Sequence, residues 1–300
     1  MDTSNIPHAF VSPDTLAARI GRADAPLLLD VRREAAFAAS ARMLAGALRC
    51  KPEEVAALAA AGPPRDVVVY CAQGHEVSAG AVATLRAAGW HAQALAGGIE
   101  GGEDGVDSPQ DLAMWRASAL PSMKKRPDWG VPGAQPSRWI TRERPKIDRI
   151  ACPWLIRRFI DPRAEFFYVP TATVFSEAAR LHAVAYDIPG APVSHEGAWC
   201  SFDVLLRAFE IEDPALDRLA RIVRGADTDD LALEPQCAGL LAFSLGLSRL
   251  HTDDHAMLEA AMPLYDALYA WCASEAVAAW QGTAAESHNW TPATMAGTRA

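Results

Sequence analysis

The sequence predicts an α/β domain, a parallel sheet with helices on both faces, followed by a mostly helical α+β domain. Two short, nearly continuous apolar runs, Leu27-Leu28-Leu29-Asp30-Val31 and Val67-Val68-Val69-Tyr70, alternate with helix-start signals in the first third of the chain. That is the pattern of strands buried on both faces and joined by crossover helices. After Glu196 the apolar residues fall instead at helical spacing. Between the two patterns, Pro121 to Ser137 is dense in Pro and Gly and lacks periodicity, which predicts a linker.

Each element has a local cause. Ser12-Pro13-Asp14 starts a short helix, with a capping hydroxyl and proline in the first turn. Leu27 to Arg32 reads as the first buried strand, and Lys51-Pro52 opens a helix that Gly62-Pro63-Pro64 ends. Val67 to Tyr70 is the next strand, followed by a helix from about Ser78 that Gly89 stops, and Ala92 to Leu95 is a third strand. In the second half, Asp148 is expected to cap a helix that runs to about Ile160 and ends at Asp161-Pro162. Phe166 to Val169 and Ala183 to Ile188 read as strands. Helices are expected over Phe202–Phe209, Pro214–Val223, Pro235–Leu247 and Asp253–Trp280. The resulting domains are residues 8–120 and 138–285, with residues 121–137 between them.

Composition limits the function. Three hundred residues suffice for about two cores, and a net charge of -9 argues against nucleic acid or an anionic membrane as partner. The chain shows no span-length apolar stretch and no signal peptide, so a soluble cytoplasmic protein is expected. Its six cysteines are widely spread with no Cys-x-x-Cys pair, which suits a reducing compartment better than disulfides or a zinc ribbon.

Cys71 is the sharpest chemical signal. It ends a strand and opens the loop Cys71-Ala72-Gln73-Gly74-His75-Glu76-Val77-Ser78 ahead of a helix. Backbone N–H groups and the helix dipole converge at such a place and favour a nucleophilic thiolate. The competing reading is a buried structural thiol.

With Leu29-Asp30-Val31-Arg32 and Glu34, Gly46-Ala47-Leu48, Val69-Tyr70-Cys71 with its loop, and Leu95-Ala96-Gly97-Gly98-Ile99, the segment from Phe10 to Trp115 resembles a rhodanese domain. The resemblance implies that Cys71 carries sulfane sulfur as a persulfide, with a sulfur donor and a thiol acceptor as partners. It also implies that Asp30 and Arg32 are structural, Arg32 bracing the loop. Gln73, Gly74, His75, Glu76, Val77 and Ser78 would form the binding loop. Rhodanese loops of the form Cys-x-x-Gly-x-Arg place Arg where this chain has Glu76, which would repel an oxyanion such as thiosulfate. Arg49 is a candidate for the missing positive charge. His75 would either raise thiolate character or stand solvated in the loop.

The segment from Trp139 to Asp161 is basic in an otherwise acidic chain. Arg142, Arg144, Lys146 and Arg149 form either an oxyanion patch or a solvated face with local ion pairs. Among later residues, His195, Glu196, Asp227 and His255 best suit iron, manganese or zinc. They are expected to converge near Arg149, against the plainer alternative of caps and loop hydrogen bonds. Trp139 to Asp161, Ser194-His195-Glu196-Gly197, Cys200-Ser201-Phe202-Asp203, Val223 to Thr228, Gly246 to Arg249, Asp253-Asp254-His255 and Tyr265 to Tyr269 resemble the C-terminal domain of the chromate-resistance protein ChrB family. This resemblance implies a link to chromate or oxidative stress without defining a reaction. Three functions follow: a sulfurtransferase, a non-catalytic chromate or redox sensor, and a metal-dependent redox activity in the second half.

Overall fold

The computed structural model describes residues 9–281; residue 8 and residues 282–285 of the expected domains lie outside them. The first half runs β1 (Phe10–Val11), α1 (Pro13–Ala17), β2 (Leu27–Asp30), α2 (Glu34–Ala39), β3 (Arg42–Leu44), β4 (Leu48–Arg49), α3 (Val55–Ala61), β5 (Asp66–Tyr70), α4 (Glu76–Ala87), β6 (His91–Leu95) and α5 (Pro109–Ala117). Five strands form a sheet in the order β1-β6-β5-β2-β4, and every pairing is parallel. Because strand side chains alternate, β5 divides its residues between two cores. Val67, Val69 and Cys71 pack with Val55, Val82 and Leu85, whereas Val68 and Tyr70 join a second core with Leu16 and Ile20. Both faces are covered, which is why β5 is apolar at consecutive positions.

The chain continues through β7 (Ser122–Lys124), β8 (Arg138–Arg142), α6 (Asp148–Leu155), β9 (Glu165–Val169), α7 (Val174–Leu181), β10 (Val184–Ala185), α8 (Ser201–Phe209), α9 (Pro214–Asp227), α10 (Cys237–Leu250) and α11 (Asp254–Gln281). A three-stranded parallel sheet, β10-β8-β9, carries α7 against Ile140, Ala185 and Ile188, and the remaining helices pack together around Trp154, Phe202, Leu219 and Tyr265. The expected single helix to Ile160 is an α-helix to Leu155 followed by one π turn over Ile156–Ile160. Pro153 lies inside α6 and lacks an N–H for the Arg149 carbonyl, which instead accepts the Tyr186 hydroxyl at 3.3 Å.

The stretch expected to be a linker is built into the fold. Strand β7 pairs antiparallel with β3, and Trp129 sits edge-on to Trp139 and Phe209 at centroid distances of 5.9 and 5.7 Å. Its prolines and glycines end regular structure, but its polar and aromatic groups bond to both halves. The second core runs without interruption from Leu28, Met43 and Tyr70 to Trp154, Ile156 and Phe159. At this seam the Gly46 N–H donates to the Phe159 carbonyl at 2.6 Å, and Gly21, at φ +81°, lies under the Phe159 ring. A Cβ on Gly21 would come 2.1 Å from Phe159 Cζ, so glycine is required there. No helix among the described residues is long and apolar enough to cross a membrane.

Candidate functional site

Cys71 follows β5, the middle strand of the sheet, at the carboxyl end where ligands of parallel sheets bind. Its Sγ accepts the Gly74 N–H at 3.2 Å and lies 3.4 Å from Ser78 Oγ, whose hydroxyl also reaches the His75 carbonyl at 3.0 Å. Gly74 makes this turn at φ +84°, where a Cβ would lie 2.6 Å from Gly98 N. The Gly97-Gly98 turn therefore presses directly on the loop, and Ile99 and Glu100 donate to the Cys71 and Ala72 carbonyls at 3.0 and 2.8 Å. A cavity of about 480 Å³ opens over the sulfur, lined by Arg33, Gln73, His75, Glu76 and Val77 among others.

The loop side chains depart from several expectations. His75 Nε2 lies 2.9 Å from Asp107 Oδ2, and its Nδ1 lies 3.6 Å from Glu103 Oε2. Both ring nitrogens face carboxylates, so the half-exposed ring is tied to Asp107 and Glu103 and not aimed at Sγ. Asp107 is held below its ordinary value by the Glu103 N–H and by His75. Glu76 opens α4, where its charge suits the helix dipole, and pairs with Arg33 at 2.8 Å. Arg33, not Arg49, thus supplies positive charge at the cavity. Arg49 is turned away: it donates to the Asp30 carbonyl at 3.0 Å, pairs with Glu34 at 3.3 Å and covers the Phe37 ring. Arg32 does not line the Cys71 cavity either. Fully buried, it pairs with Asp30 at 2.6 Å, and Asp30 in turn accepts the Tyr70 hydroxyl at 3.0 Å. This network fixes the residue just before Cys71.

In the second half, one imidazole faces three carboxylates. His195 Nε2 lies 3.2 Å from Asp227 Oδ2, 3.4 Å from Asp187 Oδ1 and 3.6 Å from Asp148 Oδ2. Ligand atoms of Asp148, His195 and Asp227 all lie within 4.8 Å of one another. Donors sharing one metal at about 2.1 Å sit roughly 3–3.5 Å apart; the His195 contacts of 3.2 and 3.6 Å are near that spacing, whereas the whole set, within 4.8 Å, would have to close in around an ion. The Asp148 and Asp187 contacts push His195 up to about 10. Burial, followed by the charges of Asp148 and Asp187, pushes Asp227 up to about 6. Asp187 sits below its ordinary value: burial opposes this, but His195, Ser201 and Arg149 together outweigh it. These shifts are those of an imidazolium held among carboxylates, with Arg142 and Arg149 at Asp187 offsetting the remaining negative charge.

Backbone strain aims these acids. Ile147 has φ +38°, rare for a β-branched residue, and Asp187 has φ +51°, in the left-handed region that Asp tolerates. Ile147 is pinned from two sides: its N–H goes to Ser244 Oγ and its carbonyl to Tyr265 Oη, each at 3.0 Å. Asp148 therefore does not cap its own helix, as the sequence suggests. Its carboxylate crosses to α8 and accepts the N–H groups of Ser201 at 2.6 Å and Phe202 at 2.9 Å.

The basic segment divides. Arg142 and Arg149 each lie 3.3 Å from Asp187 Oδ2, beside the carboxylate cluster. Arg144 leaves it, donating to the carbonyls of Ser248, His251 and Thr252 at the end of α10, and Lys146 lies exposed on the turn before α6. His195 and Asp227 converge as expected, but Glu196 and His255 do not join them. Glu196 pairs with Arg207 at 3.2 Å on the surface, and His255 stacks edge-on against Tyr168 at 5.3 Å.

Residues 139–272 match the family model of the ChrB C-terminal domain, and residues 12–104 match that of the rhodanese-like domain. The chain joins a rhodanese-like domain to a ChrB C-terminal domain. It is 34% identical over 136 residues to Protein ChrB of Cupriavidus metallidurans, which is 45% of this chain and 40% of that protein. The chain thus spans about two-fifths of the length of that relative. Among solved structures, the rhodanese-like domain of an Anabaena sp. protein is 30% identical, covering 33% of this chain and 98% of that one with a TM-score of 0.25. A rhodanese homolog from Thermus thermophilus is 28% identical and covers 25% of this chain and 80% of that one, with a TM-score of 0.21.

In the rhodanese-like domain, sequence reasoning missed Arg33; its only local signal was a position next to Arg32 before a helix. In the ChrB C-terminal domain it missed Asp148 and Asp187 as cluster members. Asp148 looked like a cap, and Asp187 looked like a strand end.

Proposed function

We propose that the protein is a sulfurtransferase of the rhodanese type whose second domain holds a divalent metal and serves resistance to chromate or oxidative stress. The observation that carries the first part is Cys71 Sγ at the floor of an open cavity, met by the Gly74 N–H at 3.2 Å. The thiolate attacks the terminal sulfur of a donor, forming a Cys71 S–S bond as the donor leaves as sulfite or a thiol. An acceptor thiolate then attacks the outer sulfur and releases the Cys71 thiolate, so the cycle is redox-neutral. The N–H of Gly74 supports the anionic sulfur in both steps.

In the second domain Asp148, His195 and Asp227 would hold the metal, with Asp187 beside them. Such an ion, when bound, supplies Lewis acidity or one-electron chemistry. The protein's own contribution there is a preformed set of donors, with Arg142 and Arg149 held at Asp187 to balance charge. Intact mass spectrometry after incubation with thiosulfate or glutathione persulfide tests the first part. An adduct of about 32 Da on Cys71, absent from Cys71→Ser, is expected. An unmodified wild-type thiol with every donor would instead favour the sensor reading. Metal analysis of protein purified without chelator, compared with His195→Gln, tests the second part.

A further inference from the structure

Neither proposed site uses a cavity of about 200 Å³ at the seam between the two domains. The turn after α1 and the starts of β2 and β5 form one wall, and the end of the π turn forms the other. Five arginines line it, Arg22, Arg65, Arg157, Arg158 and Arg163, and no carboxylate does. In a chain with a net charge of -9, such a concentration of one sign runs against the overall balance.

Four of the five have a carboxylate partner, and each partner lies outside the cavity wall. Arg22 pairs with Asp24 at 3.1 Å, Arg157 with Glu259 at 2.5 Å, Arg158 with Asp266 at 2.8 Å and Arg163 with Asp161 at 3.3 Å. Arg163 has all three guanidinium nitrogens engaged, by Asp161 and the carbonyls of Gly133, Ala134 and Gln135, whereas the other pairs leave nitrogens unused. Arg158 engages Asp266 through Nε and Nη2, and Arg22 engages Asp24 through Nε. Arg65 has no carboxylate partner among the described residues; its guanidinium lies 6.0 Å from the Trp90 ring. The cavity therefore gathers guanidinium groups from both domains, three of them on partly buried side chains held by ion pairs and two, Arg22 and Arg65, exposed to solvent.

We infer that this seam cavity binds a small tetrahedral oxyanion of the phosphate or sulfate class. Forked guanidinium groups match the geometry of such an ion. The volume also decides the size of the ligand: pockets for drug-sized molecules run to roughly 300–1,000 Å³, so a free ion fits and a nucleotide does not. Since both domains supply arginines, the bound ion ties them together and stabilises the folded chain by mass action.

Calorimetric titration of the full chain with inorganic phosphate and with sulfate, at constant ionic strength set with chloride, tests the inference. One saturable site per chain is expected, together with a rise in melting temperature beyond that given by chloride. Arg65→Gln breaks no recorded ion pair and should weaken binding about tenfold, as should Arg157→Gln. Arg180→Gln, at an exposed arginine that does not line the cavity, should leave it unchanged. Absence of saturable binding, or an equal loss in all three variants, would overturn the inference. Adenosine diphosphate should bind no more tightly than phosphate; tighter binding that depends on Arg65 would overturn the assignment to a free ion.

Discussion

The Asp148 carboxylate accepts the Ser201 N–H at 2.6 Å, so one acid both caps helix α8 and stands at the His195 cluster. Its two functions separate by substitution. Asp148→Asn keeps one acceptor but turns an amide N–H₂ toward the Ser201 or Phe202 N–H, leaving a buried donor unmet. A loss of about 1–3 kcal/mol of stability is expected, together with loss of metal. His195→Gln removes an imidazole that is 40% exposed, leaves the three carboxylates without its charge, and should lose the metal with a smaller loss of stability than Asp148→Asn. Equal destabilisation by both variants would show that the cluster is structural only.

Cysteine reactivity should discriminate sharply among the thiols. Burial pushes Cys50 up to about 11 and raises Cys152 and Cys200 further, with nearby carboxylates adding to the effect. A thiol pushed up this way stays protonated at pH 8 and is a poor nucleophile. Cys71 Sγ faces an open cavity and a backbone donor. Brief iodoacetamide treatment of the native protein at pH 8 should therefore label Cys71 before Cys50, Cys152 or Cys200. Peptide mapping that finds Cys152 or Cys200 labelled first would contradict the packing around Asp148.

The pair of Arg33 and Glu76 at the cavity rim sets the charge that an anionic sulfur donor meets. Both side chains are largely exposed, at 70% and 78%, so the effect is that of a screened surface pair. Glu76→Arg should raise thiosulfate turnover a few-fold at low salt, and Arg33→Gln should lower it by a similar factor. Both changes should shrink as ionic strength rises and the Debye length falls below about 10 Å. Salt-independent changes would assign these residues a direct contact role in place of an electrostatic one.

The strands and helices with strong patterns were legible from the sequence. The run Val67 to Tyr70 could pack only between two apolar layers, and Cys71 followed from its end. The weaker elements were not legible, because their stability comes from partners distant in sequence. Strand β3 exists through Ser122–Lys124, and β8 through Glu165–Val169 and Val184–Ala185. Trp139 and Ile140 were read within a basic segment, although both are fully buried. The cluster of His195 with three carboxylates was half legible for the same reason. His195 and Asp227 stood out as residue types, whereas Asp187 sits at positive φ and Asp148 directly follows Ile147 at positive φ, which no spacing rule announces.

Phe159 tests whether the two domains fold as one unit. Its ring is fully buried in the shared core, lies over Gly21 of the rhodanese-like domain, and meets Trp154 and Tyr269 at 5.8 and 5.3 Å. Phe159→Ala should cost about 3–5 kcal/mol through lost burial and the cavity left behind. Because the core is continuous, that loss should lower the stability of both domains together. Denaturant unfolding followed by circular dichroism, and separately by Cys71 accessibility, should give one coincident transition in wild type and in variant. Should only the ChrB C-terminal domain shift, leaving exposure of Cys71 at its wild-type midpoint, the seam around Gly21, Gly46 and Phe159 would carry no folding cooperativity.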